Sequence, residues 1–136
     1  MAKIFVSYRF TGEDFKELEK VLGDICSALS RLGHTNYCSI SDSKMFEEKK
    51  FTARQIMDYA FREIDKADIF LALVKSERIS EGMLIEAGYA IAKNKKIILL
   101  INKNIKNHTF KRLFGDKAIE FTDFNDLKNK LGGLKL

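Results

Sequence analysis

The sequence contains no proline and no tryptophan, and only two cysteines and two histidines. It also lacks any apolar run near the roughly 18 residues a membrane span needs, so no membrane partner is expected. The opening Met1-Ala2-Lys3-Ile4-Phe5-Val6 passes straight into polar residues and is too short for a signal peptide, so the expectation is a cytoplasmic protein. Cys26 and Cys38 form no C-x-x-C pattern, which points to two reduced, mostly buried thiols. His34 and His108 have no partner at metal-ligand spacing, so no metal and no other cofactor is expected. Without proline, punctuation falls to glycine and to clusters of Asn, Asp and Ser.

What is present is an ordinary globular balance. Of the 136 residues, 46% are apolar and 32% charged, which suits one domain over residues 1–136 with a core of its own. The net charge of +5 (24 basic against 19 acidic residues) is compatible with anionic partners, from a nucleotide to a nucleic acid. The basic residues are dispersed, however, and their densest stretch, Lys103 to Arg112, carries no nucleic-acid motif. That stretch reads as a solvated face, and no nucleic-acid partner is expected.

Strand and helix signals alternate along the chain. Lys3 to Tyr8 reads as a first buried strand. Thr11-Gly12-Glu13-Asp14 has the spacing of a capping box, and Phe15, Leu18, Leu22, Ile25, Leu29 and Leu32 continue it as one helical stripe ended by Gly33. Thr35 to Ile40 reads as a second strand, and the polar run from Ser41 to Lys50 as a surface loop. A helix is predicted from Thr52 to Lys66, a strand from Asp68 to Val74, and a helix from Gly82 to Lys93. Lys96 to Ile101 and Ala118 to Phe121 complete five strands, and Asp123 to Leu131 forms the last helix. The strands are continuously apolar rather than alternating, as strands covered on both faces are. The expected fold is therefore α/β: a flavodoxin-like, Rossmann-like, doubly wound and mainly parallel five-stranded sheet. In such sheets ligands bind beyond the carboxyl ends of the strands. Ser7 to Thr11, Ser41 to Lys50 and Ser76 to Gly82 should meet there.

The richest of these segments is Ser80-Glu81-Gly82-Met83-Leu84-Ile85-Glu86-Ala87-Gly88-Tyr89-Ala90. Ser80 is a natural N-cap, and Gly82 permits close approach at a helix N-terminus, where free N–H groups favour an anion. Glu86 lies about one turn further in, among apolar and small neighbours. Two readings stand at this point: a capping or solvated glutamate, or a carboxylate held for chemistry.

The Ser-x-Gly-x-x-x-Glu pattern, its Ala-Gly-Tyr-Ala continuation and the basic loop and apolar strand after it resemble the nucleoside 2-deoxyribosyltransferase superfamily. The spacing looks most like its 2′-deoxynucleoside 5′-phosphate N-hydrolase branch. Phe5-Val6-Ser7-Tyr8-Arg9, with Gly12 beyond it, is similar to the Ser-x-Arg loop of those hydrolases. The resemblance implies that Glu86 is the nucleophile, attacking the sugar of a nucleotide or nucleoside substrate through a glycosyl–enzyme ester. Water as acceptor gives a hydrolase, and a second base gives a transferase. It further implies that Ser7 and Arg9 hold a 5′-phosphate, that Tyr8 lies near the sugar or the nucleophile, and that Ser80 and Gly82 serve a partner's site in a homodimer. The sequence departs from the family at two places. Leu84 stands where a second glycine is usual, and Ala60 where the helix before the third strand carries an aspartate, which leaves Asp58 as the nearest upstream carboxylate able to assist.

The same opening residues, followed by Glu13-Asp14, also resemble the first box of TIR domains, which share the fold and in some cases split NAD with a glutamate. That resemblance implies a NAD glycohydrolase or a non-catalytic interaction module. The chain lacks the proline of the second TIR box and the tryptophan found near the glutamate of many members.

Overall fold

The computed structural model describes residues 1–135, apart from the side chain of Asp116. Strands β1 (Lys3–Ser7), β2 (Thr35–Cys38), β3 (Ile69–Val74), β4 (Lys96–Asn102) and β5 (Ala118–Phe121) pair in parallel in the order β2-β1-β3-β4-β5. Helices cover both faces, giving a doubly wound, flavodoxin-like sheet. Successive strand residues point to opposite faces. Ile4, Val6, Leu71 and Leu100 pack against helices α1 (Phe15–Arg31) and α6 (Phe124–Gly132). Phe5, Phe70, Ala72 and Leu99 pack on the other side with α3 (Ala53–Lys66) and α4 (Glu81–Ala92). Because both faces are dry, a polar residue on either would lose its water without a partner, hence the unbroken apolar runs.

Local departures from the predicted elements have tertiary causes. Helix α1 is capped by Asp14, whose carboxylate accepts from the Glu17 N–H at 3.0 Å, and not by Thr11. Gly12 takes φ +80°, so the chain turns between Thr11 and the helix and the earlier box cannot close. The segment expected as a loop from Ser41 to Lys50 is instead a 3-10 turn (Ser39–Asp42) followed by helix α2 (Ser43–Glu48). Phe46 anchors it, stacked on Phe51 at 5.3 Å and edge-on to Tyr59 at 5.4 Å. Six residues do not hold a helix alone, so these contacts make it. The turn also stops β2 at Cys38, short of the predicted Ile40.

Part of the basic stretch from Lys103 to Arg112 is not a solvated face. It opens a short helix, α5 (Thr109–Phe114), which the sequence reading missed. His108 caps it by accepting from the Phe110 N–H at 3.1 Å, and both side chains are buried. Among the described residues no helix is long and apolar enough to cross a membrane.

Candidate active site

Strands β1 and β3 lie side by side with Ser7 beside Ala72, yet the chain leaves them toward opposite faces of the sheet, into α1 and into α4. Such a parting opens a crevice at the strands' carboxyl ends. Here it is a cleft of about 770 Å³ with Glu86 in its wall, within the roughly 300–1,000 Å³ usual for small-molecule sites. The three predicted segments all reach it. Tyr8, Phe10 and Thr11 come from the loop after β1, Ser43, Lys44 and Phe46 from α2, and Ser80 and Gly82 from the start of α4. Half of the lining residues are aromatic or apolar, and they supply most of the exposed surface, which suits a flat, apolar ring.

Among the described residues the acidic liners of this cleft are Glu86 on α4 and Glu47 on α2. The Ser7 hydroxyl, itself 1% exposed, donates to Glu86 Oε1 at 2.7 Å. Burial pushes the Glu86 carboxyl up to about 7, with the Ser7 bond pulling partly the other way. The side chain thus stands at the threshold of ionisation near neutrality, with one oxygen held and the second facing no protein donor among the described residues. Ser7 is expected from the resemblance to hold phosphate, but the fold commits its hydroxyl to Glu86. The reason is positional: it ends β1 on the same face as Phe5, the face that α4 covers, and there it meets the Glu86 carboxylate.

Tyr8 lines the cleft with its hydroxyl 2.8 Å from Ser39 Oγ. Burial raises its pKa well above the ordinary phenol range, outweighing the Ser39 bond, so the ring stays neutral. Ser80 caps α4, accepting from the Met83 N–H at 3.2 Å. A Cβ on Gly82 would meet only Ser80 Oγ, at 3.9 Å, so nothing in this chain's own packing demands the glycine.

Arg9 falls in an adjoining, charged hollow that shares Tyr8, Ser80 and Met83 with the cleft, and Gly12 lies against the Arg9 guanidinium. Arg9 Nη1 pairs with Glu13 Oε2 at 2.7 Å, and Lys75 Nζ with Glu13 Oε1 at 2.9 Å. Burial works to raise the Glu13 carboxyl, but the Lys75 and Arg9 contacts outweigh it and hold the group below its ordinary 4.5. Asp58 is not brought to the site. It pairs with Arg54 at 3.0 Å along α3, whose inward face is formed by Ala60 and Ile64, and it does not line the cleft. Lys75, Arg78 and His108 escaped the sequence reading. The first two lie in the loop after β3, and the same carboxyl-edge rule that selected Ser80 could have found them. No group of three or more His, Cys, Asp or Glu among the described residues is arranged to hold a metal ion.

The family model for nucleoside 2-deoxyribosyltransferases matches residues 8–129. No curated protein is similar enough in sequence to count as a relative. Among solved structures, the chain is similar to a CMP N-glycosidase of Clostridium botulinum (21% identity, TM-score 0.70, covering 95% of this chain and 96% of that one). It is also similar to a 2-deoxyribosyltransferase of Bacillus psychrosaccharolyticus (24% identity, TM-score 0.64, 94% and 91%). A flavodoxin-like domain from Synechococcus matches at 12% identity and TM-score 0.53, over 96% of each chain. At these identities the three structures speak to the fold alone.

Proposed function

Since the chain belongs to the nucleoside 2-deoxyribosyltransferase family, we propose that it cleaves the N-glycosidic bond of (deoxy)nucleoside 5′-monophosphates or nucleosides through Glu86. The observation that carries this reading is the Ser7-held carboxyl of Glu86 in the wall of an otherwise largely apolar cleft at the sheet's carboxyl edge. The family match also decides between the two resemblances, in favour of the glycosyl-transfer superfamily over TIR domains.

The chemistry divides into two displacements. As the bond from C1′ to the base nitrogen lengthens, positive charge spreads over C1′ and the ring oxygen. The free oxygen of ionised Glu86 neutralises that charge and closes an ester to C1′. The base departs with the bonding electrons and takes a proton from water. A water molecule, or the ring nitrogen of a second base, then attacks C1′, gives up its proton and restores the carboxylate. Ser7 fixes the carboxyl oxygen it touches and so directs the other. Tyr8, neutral and held by Ser39, forms the wall beside the sugar, and Phe10, Phe46 and Met57 offer the apolar surface for the base. Arg9, in the adjoining hollow, reaches a 5′-phosphate with a charge-assisted bond.

The same reading makes the protein a cytoplasmic homodimer. Helix α4 leaves Ile85 52% and Ile91 47% exposed and Gly88 open beside them, a bare apolar side on the helix that carries Glu86. A second copy packed there would bring its own Ser80 and Gly82 close to this site.

The test is base release, followed by chromatography, from a panel of nucleosides, nucleoside monophosphates and NAD. Glu86→Gln should cut the rate by at least about 10³, because an amide neither attacks C1′ nor carries charge. Near-full activity in that variant, or turnover of NAD alone, overturns the reading.

A further inference from the structure

The loop between β3 and α4 carries a cation that the mechanism above leaves unused. Resting on the glycosidase reading, we propose that Arg78 faces Arg9 across Gly12 and completes a two-guanidinium clamp for a phosphate-monoester dianion, making Arg78 a determinant of preference for phosphorylated substrates.

The first argument is geometric. Gly12 has no side chain and holds φ +80°, and a Cβ built there would lie 3.3 Å from Arg9 Nη2 and 3.4 Å from Arg78 Nη1. The two guanidinium nitrogens therefore approach one point from two different loops, the one after β1 and the one after β3. A tetrahedral phosphate can bridge such a pair, each N–H bonding one oxygen at about 2.7–2.9 Å. Any larger residue at position 12 would fill the space between them.

The second argument is charge. Three cations, Arg9, Lys75 and Arg78, line this hollow with a single carboxylate, Glu13. Both Glu13 oxygens are already engaged, one by Arg9 and one by Lys75. Arg78 makes no ion pair among the described residues. The hollow thus keeps an excess of two positive charges, which matches the dianion of a phosphate monoester. Like charges drawn together in this way repel until an anion joins them, so the arrangement favours binding over packing.

The third argument is how Arg78 is held. The buried His108 accepts from the Phe110 N–H through Nδ1, at 3.1 Å, while its other ring nitrogen donates to the Arg78 carbonyl. Burial holds this imidazole below its ordinary 6.5, so it stays neutral and keeps both bonds at neutral pH. The loop is thereby pinned to α5 before any ligand arrives, which lowers the ordering cost of binding. Because the hollow shares Tyr8, Ser80 and Met83 with the Glu86 cleft, a phosphate held here hangs from a sugar placed at the carboxylate.

The experiment titrates the full chain with inorganic phosphate, ribose 5-phosphate and ribose by calorimetry. Wild type should bind both phosphates, and Arg78→Ala should weaken them about ten- to a hundredfold while leaving ribose unchanged. Arg78→Lys, which keeps the charge but loses the fork, should recover part of the loss. Lys103→Ala, at a lysine that does not line the hollow, should bind as wild type does. Wild type that binds neither phosphate overturns the proposal. So does an Arg78→Ala protein, folded by its circular dichroism melt, that keeps wild-type phosphate affinity or loses ribose to the same degree. Base release is read separately. Arg78-dependent phosphate binding with no base release from any substrate would sink the glycosidase reading and leave the clamp standing.

Discussion

Replacing Glu86 by glutamine should stabilise the protein in alkaline solution and do nothing in acid. Burial lifts the Glu86 carboxyl from an ordinary 4.5 to about 7. A shift of roughly 2.5 pH units, at 1.36 kcal/mol each, corresponds to about 3 kcal/mol. Its sign follows from proton binding: the folded chain holds this proton more tightly than the unfolded chain does. Stabilisation from the protonated group is therefore complete below pH 4.5 and is lost as pH rises through about 7, where the cleft must house a charge. Glutamine cannot ionise, and its oxygen still accepts the Ser7 hydroxyl that now lies 2.7 Å away. Wild type and Glu86→Gln should consequently unfold together near pH 4. Near pH 8.5 the variant should be more stable by about 3 kcal/mol, or roughly 10 °C in Tm for a chain of this length. Thermal and urea unfolding, followed by far-UV circular dichroism at matched ionic strength, measures both limits. A difference that is the same at the two pH values, or a wild type more stable than the variant at pH 8.5, would refute the argument that the carboxyl is held near neutrality by burial. The outcome bears on mechanism too, because a nucleophile that costs stability when ionised is one the fold keeps for a purpose other than folding.

Ser7→Ala removes the hydrogen bond that favours the Glu86 anion, so the acid limb of kcat/KM should move about one pH unit or more to the alkaline side; an unmoved limb removes Ser7 from that role. Ile85→Glu places a charge on the bare side of α4 and should turn the proposed dimer into a monomer by light scattering, whereas an unchanged mass would place the interface elsewhere. Phe46→Ala deletes the anchor of α2, which is 8% exposed, and should cost about 3–5 kcal/mol in urea unfolding. A cost below about 1 kcal/mol would mean that α2 is held by something other than its aromatic contacts.

The repeating pattern of the chain determined the sheet. Ile69 to Val74 and Ile97 to Ile101 are apolar at every position because each strand faces helices on both sides, and no other environment selects such runs so strongly. Five strands alternating with helices leave little choice of architecture, and the carboxyl-edge rule then points to the segments that hold Ser7, Tyr8 and Ser80, with Glu86 on α4 behind them. Local signals did less well where distant residues compete. Thr11 has the composition of a cap, but the positive φ of Gly12 hands the role to Asp14. The Ser41 to Lys50 run is polar enough for a loop, and the packing of Phe46 on Phe51 and on Tyr59 of α3 makes it the anchor of a helix.

What the sequence could not say is which groups face each other. Ser7 and Glu86 are 79 positions apart, and their bond exists because β1 ends where α4 begins its second turn. The family resemblance implies a phosphate for Ser7 and leaves Asp58 as the nearest upstream carboxylate able to assist Glu86. The fold instead turns Ser7 onto the carboxylate and leaves Asp58 with Arg54. Likewise Arg9 and Arg78, on separate loops, become neighbours only around a residue with no side chain. Periodicity records what each segment buries, which is a property of the segment itself. The ionisation of Glu86 and the charge beside Arg9 depend on what other segments bring within a few ångströms, and only the closed chain decides that.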